Sequence, residues 1–424
     1  MKSRNKNILL ITIFLTSILF VLVRVDHLEQ RLTVGTDQGM HLLEMYQIFK
    51  LRSFTLLGPA SSFAAGGRQF FFGPLTYYFA LPVFALSSWN PLVVSYFLIF
   101  IQLLGFLVSF YVIYKLVNKK IAFYYLFLGT LAPIVVNYSR FLWNPNLMLP
   151  TSCFLLAVLL IILLASQNPI WFLCIGLLFG FGLQFHYAYV LAIAVTFLVL
   201  VVKKKLTFFR LLTICIGFIV GFSPLIIFEL RHGFYNLNTI FLFVQSQIEK
   251  KSLTPPAGYF PEYYLLSLVP FILFALAYLF KRLFDLNRLA ATFLATVFIV
   301  YSLTVLLPVP TSGFLSGKDW NYPTIEKIRD IIKAEHPDQY NLVDVLSGDT
   351  RAMYLRALLT ISGEEPMKVY EYPNSRKLFI YTRLPIRQIL DGDLWEISVI
   401  KPVRLLKKWH IKNDINLYLV EKES

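Results

Sequence analysis

Acids are rare in the first 310 residues of this 424-residue chain, which hold only Asp26, Glu29, Asp37, Glu44, Glu229, Glu249, Glu262 and Asp285. Asp37 stands apart because of the segment around it, Val34-Gly35-Thr36-Asp37-Gln38-Gly39-Met40-His41-Leu42-Leu43-Glu44-Met45-Tyr46-Gln47-Ile48-Phe49. Gly35 and Thr36 can turn the chain, Asp37 can cap a helix, and apolar residues at 42, 43, 45, 46, 48 and 49 lie along that helix. A carboxylate here is either a helix cap alone or a general base that takes the proton of an attacking hydroxyl. Arg140, His186, Arg231 and His232 are the cations suited to a phosphate, since guanidinium forks and protonated imidazoles match its oxygens. Each has a plainer reading. Arg140 and Arg231 can snorkel to headgroups, His186 can be a hydrogen-bonded packing residue, and His232 before Gly233 can end a helix. Glu229 reads as the partner of Arg231, Arg68 as a headgroup contact, and Lys250 and Lys251 as solvated loop charges.

The elements that must position these groups are apolar. The chain is 57% hydrophobic and 15% charged, against about 25% charged in soluble domains. The first 310 residues hold 8 of the 24 acids and 22 of the 39 Lys and Arg, and net +14; the rest is near neutrality at +1. Runs long enough for membrane helices fall at about 8–24, 91–115, 121–138, 147–166, 169–186, 187–202, 209–229, 263–281 and 289–308. The first follows Lys2, Arg4 and Lys6 without a small-residue cleavage site, and reads as a retained anchor. A shorter run at 74–88, with Pro74 and Pro82, decides the topology. If it crossed, Lys115, Lys119, Lys120 and Lys203-Lys204-Lys205 would face outward, against the positive-inside rule. The sequence therefore predicts nine crossings, 74–88 at the outer interface, the amino terminus inside and the carboxyl terminus outside. Loops 25–90, 139–147 and 230–262 and the tail then share the outer face.

The tail predicts a small α/β domain, with a helix at 322–335 and strands at 341–347, 377–382 and 415–420. It has no Gly-rich phosphate loop and no nucleophile motif. Domain organisation is therefore 1–310 in the membrane and 311–424 outside it. Cys153, Cys174 and Cys215 lie in apolar runs without metal or disulfide spacing. The basic pI reflects membrane orientation rather than nucleic-acid binding.

In order and sidedness these segments resemble the polytopic C-type glycosyltransferases, specifically the family 39, protein-O-mannosyltransferase and aminoarabinose-transferase group. In that group an Asp-Glu pair after the first span supplies the catalytic acid; here Asp37-Gln38 keeps the Asp and has an amide in place of the Glu. Phe72-Gly73-Pro74-Leu75-Thr76-Tyr77-Tyr78 is similar to the group's Pro-Leu-aromatic element. Tyr138-Ser139-Arg140-Phe141-Leu142-Trp143-Asn144-Pro145-Asn146 looks like its second outer-loop motif, with Asn144 and Asn146 where many members carry an Asp, so the sequence does not indicate a divalent metal and leaves its use open. The resemblance implies sugar transfer with inversion from a polyprenyl-phosphate donor to a glycan, lipid or protein acceptor at the outer face of a cell membrane, most simply a bacterial one. Asp37 would be the base, with Arg140, His186, Arg231 and His232 on the donor phosphate and Gln38, Tyr77, Tyr78, Asn144 and Asn146 near sugar or acceptor. The rival readings are a transporter, which would place acids at mid-membrane and show internal repeats, and a non-catalytic scaffold presenting the tail.

Overall fold

The computed structural model describes residues 2–249 and 261–423; Lys250 and Lys251 lie outside the described residues. The chain divides into two compact units. One comprises Met1–Asp26, Phe54–Phe84 and Val93–Pro308, the other His27–Ser53, Ala85–Leu92 and Val309–Ser424.

The first unit is helical. Among the described residues, Pro91–Leu116, Asn144–Leu164 and Arg288–Leu306 are long and apolar enough to cross a membrane. Leu9–Val25, Leu75–Leu86, Pro169–Phe185 and Tyr187–Val202 are shorter apolar helices. The 12 residues of Leu75–Leu86 rise about 18 Å, short of a hydrocarbon core of about 30 Å. Two runs read from the sequence as single spans are broken. The run at 209–229 is a pair of helices, Phe208–Gly221 and Ser223–Arg231, bent by 73°. Pro224, in the first turn of the second helix, has no N–H to continue the ladder. The run at 121–138 breaks at Ala132, where Pro133 opens a new short helix.

Helices Pro169–Phe185 and Phe208–Gly221 cross at touching distance. A Cβ on Gly176 would lie 2.0 Å from the Ile214 carbonyl oxygen, and one on Gly217 would lie 2.3 Å from that of Leu173. Small residues four apart on both helices, Gly176 and Gly180 against Gly217 and Gly221, give apolar helices the close backbone approach that lipid itself does not drive. Two strands precede helix Leu75–Leu86, β1 (Ala60–Ala65) and β2 (Arg68–Phe71), paired antiparallel. The turn between them is Gly66-Gly67, both at positive φ, as a tight hairpin demands.

The second unit contains a four-stranded sheet: β3 (Tyr340–Asp344), β4 (Lys377–Thr382), β5 (Val403–Lys412) and β6 (Ile415–Lys422), in the order β3-β4-β6-β5. β3 and β4 are parallel and the other pairs antiparallel. One core gathers Val343, Leu378, Ile380, Tyr418 and Val420 with Ile389, Ile397 and Ile400. Helix Tyr322–Ala334 buries Ile325, Ile328 and Ile332, the helical spacing seen in the sequence. The strand predicted over 341–347 stops at Asp344, whose carboxylate accepts the amides of Leu346 and Ser347 in a turn.

Candidate active site

Asp37 belongs to the second unit, on helix Thr36–Leu51. The chain leading to it is held tightly. Phe314 N–H donates to the Arg31 carbonyl at 3.1 Å, Thr33 Oγ1 donates to the Phe314 carbonyl at 2.6 Å, and Trp320 Nε1 donates to the Val34 carbonyl at 3.3 Å. Trp320 stacks on Tyr381 of β4, with centroids 5.1 Å apart, so the sheet fixes the approach to the helix. Gly35 is the N-cap and its N–H donates to Gln38 Oε1 at 3.2 Å. Capping therefore falls to Gly35 and Gln38 rather than to Asp37, a correction to the sequence reading. Asp37 sits exposed in the first turn, where the amino-terminal amides favour negative charge.

One turn further along, His41 is buried, and burial lowers its pKa to about 4 against the opposing pull of Asp37. In the sequence, His41 is marked only by its spacing of four from Asp37, which puts the two side chains on one helix face. At Gly39 the helix meets helix Met353–Ile361 so closely that a Cβ would lie 2.3 Å from the Tyr354 nitrogen.

In the first unit, three motif segments converge on His186. Gly73 N–H donates to the Gln184 carbonyl at 2.9 Å, and a Cβ on Gly73 would strike the Gln184 side chain at 2.4 Å. Gln184 Nε2 donates to the Gly221 carbonyl at 2.6 Å, tying this corner to the bent helix pair. His186 stacks on Phe72 at 4.8 Å and is flanked by Tyr263 and Tyr264 at 5.6 and 5.5 Å. Trp143 lies 4.5 Å from Tyr263. His186 Nδ1 accepts the Ala188 N–H at 3.1 Å, so that nitrogen carries no proton and the imidazole offers one N–H donor instead of a charge. Asn144 Nδ2 donates to the Phe185 carbonyl at 2.7 Å, and Asn146 Nδ2 to the Phe141 carbonyl at 2.9 Å. Both are buried. Tyr138 donates to Glu262 at 3.1 Å, a contact the sequence gave no means of pairing.

Other residues singled out from sequence have framework positions. Arg140 is buried, so it does not snorkel. Its N–H groups go to the Arg24 carbonyl at 3.2 Å, the Val23 carbonyl at 2.6 Å and Asn137 Oδ1 at 3.0 Å. It thereby holds the carboxyl end of the anchor helix, whose last carbonyls lack helical donors. Arg24, also buried, donates to the carbonyls of Phe20, Gly129 and Thr130. The Tyr78 hydroxyl accepts Thr55 N–H at 2.8 Å and donates to its carbonyl at 2.6 Å, pinning the first loop. Tyr77 is buried. Glu229 does not serve Arg231: it is buried and accepts the amides of Asn236 and Leu237 at 3.1 and 3.3 Å, capping the helix Tyr235–Glu249. Asn236 Oδ1 in turn accepts Phe71 N–H at 2.9 Å, which links this region to Phe72 and His186. Arg68 lies over the Tyr235 ring at 5.6 Å. Arg231 and His232 are exposed at the end of helix Ser223–Arg231, with His232 Nδ1 2.9 Å from the Phe228 carbonyl. Among the described residues no group of three or more His, Cys, Asp or Glu is arranged to hold a metal.

The fold, a body of apolar helices with a small mixed sheet in the tail, is shared with solved structures of one protein. The solved structure of ArnT from Cupriavidus metallidurans in the apo state is similar to this chain with a TM-score of 0.56 at 12% identity, over 100% of this chain and 99% of that one. The same protein bound to undecaprenyl phosphate gives 0.52 at 11% identity, over 97% and 98%. No protein-family model matches the chain, and no curated protein matches it.

Proposed function

We propose that the chain is a membrane glycosyltransferase that moves a sugar from a polyprenyl-phosphate donor to an acceptor at the outer face of the membrane. The topology is the nine-crossing one, with the amino terminus inside and the tail outside. The observation that carries the reading is the exposed carboxylate of Asp37 in the first turn of a helix anchored by the tail, within a chain whose fold corresponds end to end to that of a protein solved with undecaprenyl phosphate. Asp37 takes the proton of the acceptor hydroxyl as its oxygen bonds to the anomeric carbon. The bond from that carbon to the donor phosphate breaks in the same step, so the anomeric configuration inverts. Arg231 and His232, exposed at a helix end, are the cations left for the departing phosphate, and His186 contributes a neutral N–H donor. The rings of Phe72, Trp143, Tyr263 and Tyr264 around His186 offer faces on which a sugar can stack.

The test is transfer from a polyprenyl-phosphate sugar by the purified full-length protein. The wild type releases polyprenyl phosphate, and Asp37→Asn lowers the rate by about 10²–10⁴-fold, the usual contribution of a general base. Equal rates in the two proteins would remove Asp37 from the chemistry.

A further inference from the structure

Cations gather at the other end of the helices that lead away from His186. Helix Val269–Leu286 starts just after Tyr263 and Tyr264 and runs about 26 Å to a pocket of about 670 Å³ lined in part by Tyr114, Asn118, Lys119, Lys120, Lys281 and Asp285. Three lysines and one acid therefore line it, and Arg282 beside Lys281 donates to the Tyr278 hydroxyl instead. Asp285 pairs with Lys281 and lies 3.9 Å from Lys120, which leaves the lining net positive. The amino end of helix Lys119–Leu131 adds its own partial charge.

The same helices carry an apolar groove of about 330 Å³, lined among others by Tyr124, Phe127, Leu276, Phe280, Leu294 and Phe298. Groove and pocket are continuous along the sequence of each helix. Tyr124 is one turn beyond Lys120, and Phe280 immediately precedes Lys281. Aromatic rings bridge the two regions. Lys120 Nζ is 5.4 Å and the Arg288 guanidinium 5.9 Å from the Phe284 ring, and Tyr124 touches both Phe280 and Phe284.

We infer that this pocket and groove together bind one anionic phospholipid, its phosphate on the lysines and one acyl chain in the groove. A lipid is the occupant because it joins a charged head to an apolar chain, as the helices Lys119–Leu131 and Val269–Leu286 join a cationic mouth to an apolar slot. An anionic lipid is selected because the mouth carries a net positive charge, and the face that the positive-inside rule assigns to the cytoplasm is where acidic lipids meet basic residues. The site is independent of the transfer chemistry proposed above.

Native mass spectrometry of the full-length protein with equal amounts of phosphatidylglycerol and phosphatidylcholine tests it. The wild type retains phosphatidylglycerol preferentially. Replacing Lys119, Lys120 and Lys281 together by Gln weakens that retention about 100-fold, at roughly the value of a basic residue near an acidic surface, whereas replacing all three by Arg preserves it. Ala295→Trp, which fills the groove and leaves every cation in place, also weakens it. The inference is overturned by equal retention of the two lipids on wild type, by a Gln variant that binds like wild type, or by competition from glycerol phosphate alone, which would mean a free-phosphate site. It is equally overturned if polyprenyl phosphate displaces phosphatidylglycerol at equal concentration.

Discussion

Asp37 and His41 share one helix face, yet one is exposed and the other buried. For His41 the consequence is a pH dependence with a definite sign. Its folded pKa of about 4 lies below the unfolded value of about 6.5, so between these the unfolded chain binds more protons and stability falls as pH drops through that window. Thermal unfolding of the second unit should therefore shift downward from pH 6.5 to 4.5, and His41→Gln should flatten the slope. An unchanged slope in the variant would assign the acid sensitivity elsewhere. Arg140 gives a second test at this scale. Arg140→Met removes donors to two buried carbonyls, at a cost of about 2 kcal/mol or more, visible as a lower Tm in detergent. If Arg140 holds the anchor and does not touch the donor phosphate, the KM for the polyprenyl-phosphate sugar is unchanged at a temperature where the variant is folded. A raised KM with unchanged Tm would return Arg140 to the phosphate.

Among the elements, the helix bearing Asp37 is positioned by the tail through two devices, the Trp320 hydrogen bond to Val34 and the backbone crossing at Gly39. Gly39→Val must push the helix away from Tyr354, and is expected to lower kcat by at least tenfold with a smaller change in donor KM, because misplacing a base by about 1 Å costs about 100-fold in favourable cases. Trp320→Phe keeps the ring on Tyr381 and loses only the donor, so it should be the milder variant. If Gly39→Val proves fully active while Asp37→Asn is dead, the base stands and the positioning does not. Elements with strong periodicity were legible from sequence: the apolar runs, the helix at 322–335 and the buried strands β3, β4 and β6. β5 was not, because as an edge strand it is mostly exposed and carries Arg404, Lys407, Lys408 and Lys412, a composition that blunts edge pairing and hides the alternation. Helix Met353–Ile361 lacked a capping signal, since Ala352 precedes it in the left-handed region. The β1–β2 hairpin announced itself only by Gly66-Gly67. At the site, the residue types that do chemistry could be named, but which of them the backbone would claim, as with Arg140, Tyr78, Asn144 and Glu229, depends on tertiary pairings, that of Arg140 with Val23 and Arg24 more than a hundred residues away.

For the molecule as a whole, the second unit is assembled from distant stretches, 27–53, 85–92 and the tail. A chain ending at Pro310 would lose the partners of Arg31, Thr33, Val34 and Gly39, and is expected to be inactive and protease-sensitive between residues 27 and 53. Residues 309–424 joined through a short linker to 27–53 are expected to give a better-folded soluble body than 309–424 alone, judged by cooperative unfolding; no gain on adding 27–53 would refute the mutual dependence. The interval between Gly39 and Phe314, the first tail residue that holds this segment, also sets an order of events during biosynthesis. The helix with the carboxylate leaves the ribosome some 270 residues before its clamp does, about 15–55 s at ordinary elongation rates. A nascent chain therefore carries the Asp37 helix without its partners until its last hundred residues have been made, and an incomplete product never acquires them.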